Sequence, residues 1–109
     1  TVADLSASVV SFSATALAEK KDLILQFMAA WARAAEDLNT NPDQYAELML
    51  KKIRVPKNVQ TSFSIPPFPA PAVPTEKQWQ DVQTWLLEKG LLESRVSYGS
   101  SVTDQFLKK

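Results

Sequence analysis

Side chains able to do covalent or acid–base chemistry are few in this chain of 109 residues, which contains no histidine and no cysteine. Zinc sites of the usual kind, disulfides, thiol nucleophiles and a Ser-His-Asp arrangement are thereby removed in one step. Carboxylates, serines and aromatic rings remain. Glu36 and Asp37 are adjacent, so on a helix they point in different directions and do not form a facing pair. Glu19, Asp81, Glu88, Glu93 and Asp104 are scattered among lysines. An acid–base pair needs two carboxylates in contrasting environments. The pattern selects no such pair, and solvated surface charge accounts for all of them. Trp31, Trp79 and Trp85 could stack on a ligand, but each falls on or beside a helical apolar stripe, which reads as core packing. Ser8, Ser11 and Ser13 lie where an apolar segment feeds a helix start. Hydroxyls and free backbone N–H groups at such a place can meet an anionic or polar ligand. No catalytic residue, metal ligand or cofactor is expected.

The overall balance narrows the partners. Lysine plus arginine and aspartate plus glutamate both number 12, so the net charge is zero and no field is available to hold a nucleic-acid backbone or an anionic membrane. With 45% hydrophobic and 22% charged residues, the composition is that of an ordinary globular chain and argues against wholesale disorder. The length fits one domain, or part of one, against a usual size of roughly 100–150 residues. No apolar run approaches the roughly 18–20 residues that a membrane span needs. The chain opens on Thr1 and not on methionine, from which processing, or an origin inside a longer protein, is expected.

The elements that position these residues follow from periodicity. Asp4–Ala14, "DLSASVVSFSA", is rich in serine and in β-branched or aromatic residues. Leu5, Ala7 and Val9 alternate onto one face and Val10, Phe12 and Ala14 onto the other, which predicts a strand covered on both sides or bulged near Val9. Such a strand needs a neighbour for its backbone groups. From Asp22 to Leu38 the period is helical: Ile24, Met28, Trp31, Ala35 and Leu38 form the stripe, and Leu23, Phe27 and Ala34 widen it. A short extra turn is expected at Thr15–Lys20. "NTNPDQ" restarts a helix with Asn41 as cap, Pro42 in the first turn and Gln44 in the capping-box position; it runs to Lys52 and buries Tyr45, Leu48, Met49 and Ile53. A short helix opens at Pro56. Thr75 and Gln78 cap a further helix whose apolar side is Trp79, Val82, Trp85 and Leu86, and Gly90 is its left-handed terminator. Leu91 and Leu92 are expected to fold back on that last turn, and Gly99 to mark a turn in the tail.

Between these helices lies "IPPFPAPAVP", five prolines in ten residues. Two P-x-x-P matches, Pro66–Pro69 and Pro71–Pro74, would suit a polyproline-binding partner, but no arginine flanks them. A flexible linker is disfavoured because proline stiffens the chain and neither glycine nor serine interrupts it. An extended strap over neighbouring helices, with Phe68 and Val73 as packing residues, is the favoured reading.

"VVSFSATALAEKKDLILQFMAAWARAAEDLNTNPDQYAELMLKK" resembles a segment of the substrate-binding proteins of ABC importers, in the group for nitrate, sulfonate, taurine and thiamine-pyrimidine precursors. "PPFPAPAVPTEKQWQDVQTWLLEKGLL" and the ending "VSYGSSVTDQFL" are similar to the parts that follow. The resemblance covers nearly all of the chain and rests on the order and spacing of loose motifs. It implies a two-lobed α/β periplasmic-binding-protein fold about three times this length, of which this chain would be the C-terminal part. The chain would be one unit over 1–109, mostly helical with one N-terminal strand, about four helices and the proline strap. The resemblance also implies that the strand end around Phe12–Thr15 lies near the hinge and cleft, which makes Ser13 the candidate ligand-binding residue. The implied role is non-enzymatic: a segment bracing one lobe of a periplasmic or extracellular solute-binding component, lipid-anchored or soluble, whose partners are a small-molecule solute and the ABC permease. Self-association through the Asp4–Ala14 strand is also expected, since that strand would lack its neighbours. The alternative is an autonomous helical interaction module.

Overall fold

A computed structural model describes residues 8–107, and the chain there is helical. Five α-helices follow one another among the described residues: α1 Ala14–Glu19, α2 Lys21–Thr40, α3 Pro42–Lys52, α4 Glu76–Glu88 and the single turn α5 Tyr98–Ser101. A 3-10 turn at Lys57–Val59 stands where a short helix was expected after Pro56. The spine is α2, whose 20 residues extend about 30 Å at 1.5 Å per residue. α1 and α3 pack against its two ends.

The strand expected over Asp4–Ala14 is absent from its described part. Residues 8–13 carry no regular structure, Ala14 already belongs to α1, and no strand or sheet occurs among the described residues; positions 4–7 of that expectation lie outside them. The α/β architecture, and the strand edge through which self-association was expected, go with it. The physical reason is backbone pairing. An extended segment without a hydrogen-bonding neighbour gains nothing from strand geometry. Ser13 instead turns its hydroxyl onto the chain ahead, accepting from the Ala16 N–H at 3.2 Å and opening α1.

Helix boundaries follow local chemistry closely. Lys20 leaves helical geometry (φ −127°, ψ 34°), making a corner where α1 stops and α2 begins. Asn41 closes α2 by donating its N–H to the Asp37 carbonyl and opens α3, but its side chain makes no capping bond. The proline ring at position 42 presets φ for the first turn, so the restart does not need that bond. At α4 the full capping box is present: Thr75 Oγ1 accepts from the Gln78 N–H at 3.2 Å, and Gln78 Oε1 accepts from the Thr75 N–H at 2.8 Å. The same helix ends at Gly90 (φ 68°), where the Gly90 N–H reaches the Leu87 carbonyl and the Leu91 N–H the Leu86 carbonyl, the paired bonds of a Schellman motif. α3 ends less comfortably, with Arg54 at φ 53° in the left-handed region that glycine usually supplies.

Packing is thin. Among the described residues the buried apolar side chains are Ile24, Ala35 and Phe106, at 4%, 7% and 7% exposure. Two tryptophans assigned to the core by periodicity are not in it: Trp31 is 45% and Trp85 52% exposed. Leu48 and Ile53 of the α3 stripe and Leu91 beyond α4 are likewise exposed. The accessible surface is 8976 Å² for 12.1 kDa, whereas a compact monomer of this mass exposes about 6,000 Å². The radius of gyration is 17.2 Å, against about 13 Å expected for this length. Thr75→Ala, which removes one half of the capping box, is expected to lower stability by about 1 kcal/mol. Urea denaturation followed by far-UV circular dichroism measures this, and an unchanged midpoint would show that the box contributes nothing.

Candidate functional site

The proline strap, residues 65–74, carries no helix or strand; its prolines and the residues before them favour extended backbone, which outside a sheet must find partners elsewhere. Half its residues are prolines and bring no N–H, so only a few backbone donors need satisfying. Phe68 has its pair met by one side chain. The Phe68 N–H donates to Asn39 Oδ1 at 2.8 Å, and Asn39 Nδ2 donates to the Phe68 carbonyl at 2.7 Å. A carboxamide carries one acceptor and two donors in a plane, and here it copies the pairing a neighbouring strand would have offered. Asn39 sits one helical turn after Ala35, so the clamp joins the last turn of α2 to the middle of the strap.

Beneath the clamp is an open groove of about 470 Å³. Met28, Ala35 and Asn39 of α2 form one wall, Phe68 and Pro71 of the strap the other, and Phe106 of the tail closes the floor. Glu36 and Thr40 stand at the same place, although the Thr40 hydroxyl already donates to the Glu36 carbonyl at 2.8 Å. A mainly apolar wall with one carboxylate can hold a partly apolar group; it has no second titratable side chain with which to move a proton. Among the described residues no group of three or more carboxylates gathers to hold a metal ion.

The other end of the strap is fixed to α4 and the tail by the same device. Tyr98 donates its hydroxyl to the Pro74 carbonyl at 2.7 Å, and its ring meets Trp79 edge-on at 6.5 Å. Trp79 Nε1 donates to the Val96 carbonyl at 3.0 Å, while the Val96 N–H donates to Gln83 Oε1. Arg95 donates to Gln80 Oε1 and Thr84 Oγ1, each at 2.8 Å. Gln83 is only 4% exposed, and its Nε2 has no partner among the described residues, a cost of about 1–3 kcal/mol for a buried donor. Ser13, the one ligand-binding residue expected from sequence, is remote in role from this assembly. It is exposed, and its oxygen is engaged as the cap of α1.

Asn39 and Gln83 were not singled out by sequence reasoning. A usable signal exists for both, because each is a polar residue standing one turn after an apolar position, Ala35 and Trp79 respectively. Amides placed so are candidates to satisfy backbone that crosses the helix. Comparisons with family models, with curated proteins and with solved structures return no match.

Asn39→Ala is expected to cost about 1–3 kcal/mol, the sum of two ordinary hydrogen bonds, and to speed amide exchange at Phe68. Asn39→Asp keeps an acceptor for the Phe68 N–H but sets a second oxygen against the Phe68 carbonyl, so it recovers at most part of the loss. Unchanged Phe68 exchange in Asn39→Ala, followed by hydrogen–deuterium exchange with mass spectrometry or NMR, would exclude the clamp.

Proposed function

We propose that this chain is a bracing segment of the solute-binding component of an ABC importer, working by packing and not by chemistry. The observation that carries the reading is the combination of internal clamps with uncovered apolar faces. The helices and strap are fastened to each other by Asn39, Tyr98, Trp79 and Gln83, while Trp31, Trp85 and Leu91 remain outside. A brace needs that division: stiff within itself, apolar towards what it supports. The motif order that resembles the nitrate, sulfonate, taurine and thiamine-pyrimidine-precursor group is the second support. The solute would be small and polar or anionic, the permease would be the protein partner, and the setting periplasmic or extracellular.

An autonomous helical interaction module is the second reading, favoured by the same uncovered faces. A thermal-shift screen of the complete gene product against nitrate, alkyl and aryl sulfonates, aromatic acids and pyrimidines separates the two. A ligand at a hundred times its Kd stabilises by about 2.7 kcal/mol, a rise of several degrees. A rise with one solute class supports the transport reading; no rise with any of them overturns it in favour of the module.

A further inference from the structure

The zero net charge of the chain conceals an uneven division. Residues 48–75 contain four cations, Lys51, Lys52, Arg54 and Lys57, and no acidic residue. The rest of the chain, with eight cations and twelve acids, carries the balancing negative charge. All four cations stand within seven residues, which span at most about 20 Å even when fully extended. They are exposed, and none makes an ion pair among the described residues. Glu47, exposed one helical turn before Lys51, is the nearest acid along the chain and does not pair with it. Lys51 and Lys52 lie in the last turn of α3, where the helix dipole already favours positive charge. Arg54 and Lys57 stand beyond the helix, and that local account does not reach them. Arg54 even occupies φ 53°, a conformation in which glycine costs less.

We infer that this segment is a docking surface for an anionic phospholipid bilayer. Leu48, Ile53 and Val59 are interleaved with the cations and are 51%, 50% and 40% exposed. Aliphatic side chains so placed enter the headgroup boundary, while ammonium and guanidinium groups meet the lipid phosphates. A cluster of four or more cations is the usual composition of such a surface. A nucleic-acid strand is the weaker fit, because it calls for exposed rings on which bases stack. Residues 46–62 contain no aromatic residue. The turn beyond α3 is ordered before any contact: Gln60 Nε2 donates to the Val55 carbonyl at 2.9 Å, and the Val59 N–H to the Pro56 carbonyl at 3.0 Å. No described helix is long and apolar enough to cross a membrane, and this docking needs only the surface. It uses none of Trp31, Trp85 and Leu91, the residues the transport reading turns towards a supported protein, and is independent of that reading.

Co-sedimentation of the 109-residue chain with vesicles tests the docking, using equal parts of phosphatidylglycerol and phosphatidylcholine beside phosphatidylcholine alone. Binding is expected to the mixed vesicles, falling with added salt, and not to the neutral ones. Each cation near an anionic bilayer contributes a factor of roughly five in affinity, so Arg54→Gln and Lys57→Gln should each lose that much. Arg54→Gly removes the same charge while relieving the backbone. Its thermal melting should show stability kept or raised, so that its weaker binding reports charge and not unfolding. Lys20→Gln combined with Lys21→Gln, exposed cations outside the segment, should leave binding unchanged. Failure to bind the mixed vesicles overturns the docking, as does equal binding to the neutral ones. A loss from the Lys20 and Lys21 exchange as large as that from Arg54→Gly overturns it too. So does tighter binding to a poly-thymidine oligonucleotide than to the mixed vesicles.

Discussion

Side chains hold the backbone that runs outside any sheet, and those clamps join α2, the strap, α4 and the tail. The strap from Ile65 to Pro74 has no neighbouring strand, yet it must cross the end of α2 to reach α4. Asn39 resolves the problem at Phe68 by offering an acceptor and a donor in one plane. Tyr98 does the same for the Pro74 carbonyl, and Trp79 and Gln83 together for Val96. Prolines make the arrangement feasible, since five of the ten strap residues bring no N–H that would need a partner. Residues 8–13 carry no regular structure, and the extended Ser13 caps the helix that begins at Ala14.

A chain held together by polar clamps can remain open. Its buried apolar set is small, and the largest hydrophobic side chains lie at its edges. Burial of apolar area contributes about 25 cal/mol per Å², so the uncovered halves of α2 and α4 represent stabilisation still to be collected on contact with another surface. Stiffness comes from the clamps and affinity from the faces they leave exposed. The proposed bracing role draws on this division.

Local signals in the sequence carried well. The helix over Asp22–Leu38, the restart at Pro42, the Thr75–Gln78 box and the Gly90 terminator depend on contacts within a few residues of themselves, and all stand where spacing places them. The failures share one cause. Periodicity marks which side of a helix is apolar, but not whether anything lies against it. Trp31 and Trp85 therefore read as core and are not, and Asp4–Ala14 reads as a strand although no neighbour pairs with its described part.

The candidate groove was legible only in pieces. Phe68 was recognisable as a packing residue, while Asn39 looked like one more polar residue near a helix end. The sequence by itself determined the helices, their caps and the stiffness of the proline segment, because those follow from dihedral preferences and hydrogen bonds between near neighbours. Only the tertiary structure decided that Asn39 would meet Phe68, that half of the α2 stripe would stay uncovered, and that Ser13 would cap a helix instead of ending a strand. Each of those depends on which distant segment arrives to satisfy a backbone group or cover a face, and spacing along the chain does not encode that arrival.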